Sequence, residues 1–289
     1  MQPLIYIGDG KLKDLTGQKF DTYIGFFDKI DDKPYADGFY CSPQDLDSYL
    51  YNHRPRAIRI GFDTQAEFEY LIERLSPFVS SIYLHTKSNK AFDLSPMETC
   101  SELEVVQMYW NTKQEHLWDV KKNTKLKHFQ IMDFYRVSDF SDFRGSSIED
   151  LRIFGCNRLS SFVSKVHLDD PTFICDMPML RELHLDIIKD ENSTYYLELF
   201  AKLQNLHQLS LPSGFFTFYQ FVWLKAHMPN VTAGLDCIYS VGKYMNVIGK
   251  RMPGAFEDQT KAAKYQAKYD SLVHKYKNQA MPPEDGVKN

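Results

Sequence analysis

The sequence predicts an α/β fold, a solenoid of stacked coils with a curved, parallel β-sheet on its concave side and helices and short turns on its convex side. Two observations predict this fold. A short segment with apolar residues at its first, fourth and sixth positions recurs along the chain, and its fourth positions fall at residues 58, 82, 106, 129, 151, 183 and 209. The first four spacings between them, 24, 24, 23 and 22 residues, are nearly constant. Such a period is typical of repeat architectures in which each repeat forms one coil.

Residues 148–156, IEDLRIFGC, show why this spacing suits one turn of a solenoid. Leu151 and Ile153 share one face of a short strand and point into the core, because successive side chains alternate across a strand. Ile148 enters the same core before the strand begins. Cys156 lies where the chain turns away. A thiol or an amide there can bond buried backbone groups, which would cost about 1 to 3 kcal/mol each if they stayed unpaired.

The pattern resembles that of the leucine-rich repeat family, LxxLxLxx followed by Asn or Cys. A second segment, LEVVQMYWN, matches it in full with Leu103, Val106, Met108 and Asn111. The resemblance covers about residues 55 to 241 and implies a bacterial-type cytoplasmic solenoid. The other coils lack Asn or Cys at the ninth position, so apolar packing is expected to fill their interiors.

A stacked array needs a cap at each end, because its terminal coils would otherwise expose apolar surface. Residues 1–53 are predicted to form the N-terminal cap, in which PLIYIG and TYIGFF alternate like strands and a helix begins after Ser42 with Pro43 in its first turn. Residues 242–289 are predicted to form a C-terminal helical cap, with one long helix over 256–277, and then a disordered tail, MPPEDGVKN. An open alternative is that this helix binds a partner.

Between the caps, residues 54–241 are predicted to form about seven to eight irregular coils, whose outer side carries the connecting segments. Three of these segments have the apolar spacing of helices: 65–78, 194–203 and 216–227. The connections between residues 85 and 150 are shorter and more polar, which indicates single helical turns. Trp118 and Trp223 lie in outer segments and are expected to pack rather than to bind.

Composition and charge exclude several classes of function. Hydrophobic residues make up 43% of the chain and charged residues 25%, as in ordinary soluble proteins. The net charge of −4 predicts no general attraction to nucleic acid. No apolar stretch reaches the roughly 18 residues of a membrane span, and the N-terminal segment lacks the pattern of a secretory signal. The five cysteines form no CxxC pair, which favours free thiols in a reducing cytoplasm.

The sequence contains no recognisable catalytic motif. GDGK at residues 8–11 and GKYMNVIGKR at residues 242–251 do not fit the phosphate-binding pattern GxxxxGK[ST]. The histidines are scattered, and a metal site would need several ligands to converge from different coils. We therefore expect a protein that is not an enzyme and that has neither a cofactor nor a bound metal.

The concave sheet is the candidate partner-binding surface. In each coil the third, fifth and seventh positions should point away from the core, with the eighth at the margin. These positions carry an aromatic and apolar strip across four neighbouring coils, and such a patch usually marks an interaction site. The predicted partner-binding residues are Arg59, Tyr83, His85, Gln107, Tyr109, Trp110, Gln130, Met132, Asp133, Arg152, Phe154, His184 and Asp186. An open alternative is that a terminal segment of the same chain covers the strip.

These observations predict a non-catalytic module that binds a partner protein on its concave face, with no nucleic-acid or membrane partner. The resemblance implies a sharper alternative, because small cytoplasmic solenoids of that family include immunity proteins that neutralise bacterial toxins. Another alternative is an adaptor that delivers a substrate to an enzyme and recruits that enzyme through the 256–277 helix.

Overall fold

The computed structural model describes residues 4–8, 12–27, 38–86, 90–109, 111–155, 166–187, 193–241, 243–249, 252 and 256–284. The chain divides into two compact units, Met1–Met179 and Leu180–Asn289, and each is described by itself. Both units combine strands and helices, as the sequence predicts. None of the helices in the described ranges has both the length and the apolar character that a bilayer crossing requires.

The first unit contains a mostly parallel sheet. Its strands are β1 (Leu4–Gly8), β2 (Thr22–Phe27), β3 (Phe39–Cys41), β4 (Ala57–Phe62), β5 (Ser81–Thr86), β6 (Val105–Tyr109), β7 (His128–Met132) and β8 (Asp150–Phe154). Their spatial order is β8-β7-β6-β5-β4-β2-β1-β3. Neighbours from β2 to β8 pair in parallel, whereas β1 is antiparallel to both β2 and β3.

The strand register follows the repeat in the sequence. The fourth positions of successive repeats pair directly across β4 to β8: Ile58 with Ile82, Ile82 with Val106, Val106 with Phe129, and Phe129 with Leu151. Each repeat therefore contributes one strand in the same phase as its neighbours. The parallel sheet that the spacing predicts is confirmed.

The core of the first unit lies on one face of this sheet. Every fourth-position and sixth-position side chain from β4 to β8 is buried there: Ile58, Ile60, Ile82, Leu84, Val106, Met108, Phe129, Ile131, Leu151 and Ile153. Helix α2 (Gln65–Leu75) covers the β4 end with Phe68, Leu71, Ile72 and Leu75, all buried. Burial of each such side chain contributes about 1.5 to 3 kcal/mol.

The helices of the first unit begin where the sequence provides caps. Helix α1 (Pro43–His53) follows Ser42, whose hydroxyl accepts a hydrogen bond from the Asp45 amide, while the Asp45 carboxylate accepts from the Ser42 amide. Thr64 and Glu67 form the same reciprocal cap at the start of α2. Each reciprocal cap pairs two backbone amides that the first turn of a helix leaves without partners.

After β5, the connections between strands shorten to 3₁₀ turns, as the polar linkers predict. Three of these turns, Ser95–Thr99, Val120–Lys122 and Ser141–Phe143, lie within the predicted range, and a fourth, Pro171–Asp176, lies beyond it. The Asn123 amide donates to the carbonyls of Met97 and Cys100 at 2.9 and 3.0 Å, and its oxygen accepts from the Trp118 indole at 2.6 Å. Asn123 therefore ties two successive turns together.

The ninth-position asparagine has the role that the repeat pattern predicts for it. Asn111 is buried, and its side-chain oxygen accepts from the backbone amide of Gln114 at 3.0 Å. Gln114 in turn exchanges hydrogen bonds with both backbone groups of Phe92 at 2.8 and 2.9 Å. Asn111 thus pairs a backbone amide just after β6, and Gln114 pairs both backbone groups of Phe92 in the connection between β5 and β6. Cys156, the other predicted ninth-position residue, lies outside the described residues.

The second unit contains α3 (Ser193–Ala201), α4 (Phe218–His227) and α5 (Gln259–Tyr276) together with β9 (Glu182–Leu185), β10 (Gln208–Ser210), β11 (Ile238–Val241) and β12 (Tyr244–Val247). Strands β9 and β10 pair in parallel with Leu183 opposite Leu209, the fourth positions of their repeats. Strands β11 and β12 form an antiparallel hairpin that the sequence analysis does not predict. A parallel bridge also joins Gln208 to Ala233.

The C-terminal segment packs on α4. Trp223 donates from its indole to the carbonyl of Gln279 at 3.0 Å, and Gln220 donates from its side chain to the carbonyl of Pro283 at 3.1 Å. Pro282 and Pro283 are buried. The tail predicted to be disordered therefore makes contacts as far as Pro283, because α4 presents two donors that need acceptors.

Replacement of Leu151 by alanine should lower the free energy of unfolding of the first unit by about 2 to 5 kcal/mol, because the cavity would lie in the centre of the core. The matched control is Leu12→Ala, which removes the same atoms from a side chain that is 45% exposed and should change stability little. Urea unfolding followed by circular dichroism measures both. Equal losses for the two variants would contradict the assigned faces of β8.

Candidate partner-binding face

The candidate site is the face of β4 to β8 opposite the core, which we call the outward face. Register aligns its side chains in three rows that run across the strands. The amino row contains Ala57, Ser81, Val105, His128 and Asp150. The middle row contains Arg59, Tyr83, Gln107, Gln130 and Arg152. The carboxyl row contains Gly61, His85, Tyr109, Met132 and Phe154. Most predicted site residues of the first unit thus lie together, in the middle and carboxyl rows.

Two tyrosines form a stacked pair on this face. The rings of Tyr83 and Tyr109 are 4.9 Å apart with an interplanar angle of 14°. The Arg59 guanidinium lies 5.0 Å from the Tyr83 ring and 5.4 Å from the Tyr23 ring. An aromatic pair of this kind contributes about 0.5 to 1.5 kcal/mol beyond its buried area. The tyrosines are therefore held in place before any partner arrives.

The Tyr109 hydroxyl is the centre of a buried polar group. Gln130 donates to it from its side-chain amide, and Gln107 also bonds to it. Burial raises the pKa of the Tyr109 phenol above its ordinary value, while the hydrogen bonds from Gln107 and Gln130 and the nearby Arg152 charge oppose that rise. The phenol is therefore protonated at neutral pH.

The sequence analysis predicts that Gln107 and Gln130 are accessible to a partner, and this prediction is wrong. Gln107 is 5% exposed and Gln130 is 4% exposed. The stacked tyrosines and the neighbouring rows cover these two shorter side chains, and both glutamines hydrogen-bond to the Tyr109 hydroxyl. The Gln107 Oε1 atom has no hydrogen-bond partner in the described part of the chain.

A carboxylate in the amino row fixes Arg152. Asp150 is buried and accepts from the Arg152 Nε and guanidinium NH2 groups at 2.9 and 2.7 Å. The His128 Nδ1 atom lies 3.5 Å from the same carboxylate. As the third position of its repeat, Asp150 is expected on this face, but the sequence analysis does not select it as a functional residue. The sequence does contain a signal for it: Asp150 and Arg152 are two residues apart and carry opposite charges, so they share one face of the strand and can form an ion pair.

The margin residue Asp133 is also less accessible than predicted. It is 2% exposed and has a left-handed backbone conformation with φ of 70°. Its carboxylate accepts from the Tyr135 hydroxyl at 2.9 Å. The backbone turn that ends β7 directs this carboxylate toward its own loop rather than toward a partner.

An N-terminal loop covers one end of the outward face. The Phe20 ring packs edge-on against Tyr83 at 5.9 Å, and the Ser81 hydroxyl donates to Asp14 Oδ2 at 2.9 Å. The other Asp14 oxygen accepts from Thr16 and from the Gln18 amide, which closes the loop on itself. A segment of the same chain therefore covers the outward face at β5, as the alternative from the sequence analysis proposes.

The remaining predicted residues fall into three groups. His85, Tyr109, Met132 and Phe154 are half-buried and form the carboxyl row beyond the covered end. Trp110 lies outside the described residues. His184 and Asp186 belong to the second unit, on β9 and just after it, and both are half-buried.

A small cavity lies beside Tyr109 at the carboxyl ends of β4, β5 and β6. Phe62, Leu84, Phe92 and Met108 are among the side chains that line it. Its volume is about 20 Å³, which is enough for a single water molecule. This cavity is therefore too small to bind an organic ligand.

Three described cysteines are poor nucleophiles. Burial raises the pKa of the Cys100 thiol to about 12, and burial together with the nearby Asp45 charge raises that of Cys41 to about 11. Burial likewise raises the pKa of Cys237 above its ordinary value. These side chains are thiols, not thiolates, at neutral pH, and a thiol does not act as a nucleophile.

Comparison with known proteins gives no match to this chain, whether to a family model, to a curated protein or to a solved structure. The function of the outward face therefore has to be inferred from its own residues.

Replacement of Asp14 by alanine should free the covering loop, because it removes the acceptor for four donors. We expect faster amide hydrogen exchange over residues 12–20 and a loss of about 1 to 3 kcal/mol in stability. Asp14→Asn keeps the shape of the side chain and part of its acceptor capacity. Its amide exchange rates and stability should therefore lie between those of Asp14→Ala and those of the wild type. Unchanged exchange in Asp14→Ala would show that the carboxylate does not hold the loop.

Alkylation should distinguish the exposed thiol from the buried ones. At about pH 8, near the ordinary thiol pKa, iodoacetamide should modify exposed Cys175 and leave Cys100 and Cys237 unmodified until urea is added. The raised pKa values keep the buried groups protonated until well above that pH. Peptide mass spectrometry measures the extent of modification, and rapid native modification of Cys100 would contradict the assigned burial.

Proposed function

We propose that this protein is a non-catalytic interaction module that binds a partner protein on its outward face. One observation carries the proposal: His85, Tyr109, Met132 and Phe154 occupy the same position on four adjacent strands and are only half-buried. Parallel strands are about 4.8 Å apart, so this row presents a continuous, largely apolar strip about 14 Å long. Apolar strips of this kind on a protein surface mark interaction sites.

The surroundings of the strip support a protein partner. Aromatic side chains contribute most to interfaces when they are rigid and lie near the centre of the contact. The stack with Tyr83 and the hydrogen bonds from two glutamines fix the Tyr109 ring before binding, which lowers the conformational entropy that an interface loses.

A leucine-rich-repeat-like solenoid in the cytoplasm is the finer interpretation that we propose. The recurring register of the fourth positions supports it, and so does Asn111, which pairs backbone groups at the turn after β6. A structure determined by crystallography at high resolution would test the curvature that this interpretation requires.

The chemistry of the described side chains supports a binding role over an enzymatic one. The Tyr109 phenol and the thiols of Cys41, Cys100 and Cys237 are protonated at neutral pH. The cavity beside Tyr109 holds no more than about one water molecule. A substrate-sized cleft with perturbed acids or bases, which an active site requires, would be the contrary finding.

The double variant Met132→Asp/Phe154→Asp should lose the partner that the wild-type protein captures from source-cell lysate, by more than about tenfold. A carboxylate in the centre of an apolar contact costs free energy because it loses its hydration. The matched control is Tyr51→Asp/Met179→Asp, which introduces the same charges at exposed apolar side chains of the same unit, 79% and 44% exposed. Quantitative mass spectrometry of the captured proteins measures the effect.

The proposal requires a protein that the wild type and the control variant retain and the outward-face variant loses, with all three giving the same circular dichroism spectrum. Retention of the same proteins by both double variants would remove the outward face as the binding surface.

A further inference from the structure

Helix α5 has a regular pattern that its packing on α4 does not explain. Lys261, Lys268 and Lys275 are each seven residues apart, and we call them the lysine stripe. Seven residues are about two helical turns and about 10.5 Å along the axis, so the three side chains lie in one line. The residues that follow each lysine, Ala262, Tyr269 and Tyr276, repeat with the same period.

The apolar line of this pattern is occupied within the second unit. Ala262 and Tyr276 are buried. The rings of Tyr265 and Tyr269 each lie 6.5 Å from the Phe218 ring, at the start of α4. Helix α5 therefore uses its apolar seam to pack on α4, as a helical cap does, and the lysine stripe runs along one edge of that seam.

The lysine stripe has no acidic partners in the described part of the chain. Lys261 lies 4.8 Å from the Phe256 ring, and Lys268 donates to the Tyr219 hydroxyl at 2.5 Å. Lys275 is exposed and lies 5.8 Å from the neighbouring Tyr276 ring. Helix α4, FYQFVWLKAH, contains no acidic residue at all. The other exposed lysines with ion pairs, such as Lys125 with Glu102 at 2.7 Å, show that this chain does form such pairs elsewhere.

We propose that the lysine stripe is a second docking surface and that it binds an acidic α-helix of a partner protein. Charges beside an apolar seam normally pair with opposite charges on an adjacent helix, and this pairing selects the partner and its orientation. Two helices that pack side by side meet every seven residues, which is the spacing of the stripe. An acidic helix with carboxylates at that spacing satisfies all three lysines at once.

The spacing favours a helix over other anionic partners. Duplex DNA has about one charge per 1.7 Å of axis, and a lipid surface has no fixed period, so neither selects lysines about 10.5 Å apart on one line. This second surface does not depend on the outward face, and either proposal stands if the other fails.

The test uses the full-length protein labelled with ¹⁵N and two helical peptides of identical composition, each about four heptads long. One peptide has glutamates at seven-residue spacing on one face, and the other has the same glutamates distributed around the helix. At low ionic strength, the first peptide should shift the amide resonances of α5 in NMR spectra and bind about tenfold more tightly than the second.

The triple variant Lys261→Glu/Lys268→Glu/Lys275→Glu should lose this difference. The matched control Lys122→Glu/Lys202→Glu/Lys277→Glu changes the net charge equally, at exposed lysines off the stripe, and should keep it. Equal binding of the two peptides, or binding of neither, would overturn the proposal. So would stronger binding of a DNA duplex or of phosphatidylserine vesicles that is lost in the stripe variant alone.

Discussion

The pairing of equivalent positions across β4 to β8 is the constraint on which the rest of the first unit depends. Ile82, Val106, Phe129 and Leu151 lie opposite one another, so all point to the same side of the sheet. A slip of one residue in any strand would exchange its core and outward side chains, because the side-chain period of a strand is two. The side chains buried at the fourth and sixth positions therefore determine which residues lie on the outward face, although they themselves lie on the opposite side of the sheet.

This constraint explains which features the sequence predicts well. The apolar spacing is a local property of each repeat, and the equal distance between repeats brings the strands into phase. The predictions for the Leu151 core, the Asn111 turn and the α1 cap are therefore confirmed. Each depends on residues that are close in sequence or on a period that can be counted.

The features that the sequence does not predict depend on contacts between distant segments. Asp14 meets Ser81 across 67 positions of sequence, and nothing local to the DLTGQ turn indicates where that turn will dock. Gln107 and Gln130 are buried because larger side chains surround them, and the repeat pattern does not indicate the size of these neighbours. The β11–β12 hairpin lacks a repeat, so no period indicates it.

The two proposed surfaces differ in the physical force that each would use, and this difference bears on how the protein works. The carboxyl row is mostly apolar and aromatic, and the charge of Arg152 is already neutralised by Asp150, so binding there depends mainly on the removal of apolar area from water. The lysine stripe consists of charges without acidic partners in the described part of the chain, and salt screens exposed charges over about 8 to 10 Å at physiological ionic strength. Binding at the first surface should therefore tolerate salt, whereas binding at the second should weaken with it. The two proposed surfaces therefore predict opposite responses to salt within one chain, so a salt titration separates partners of the carboxyl row from partners of the lysine stripe.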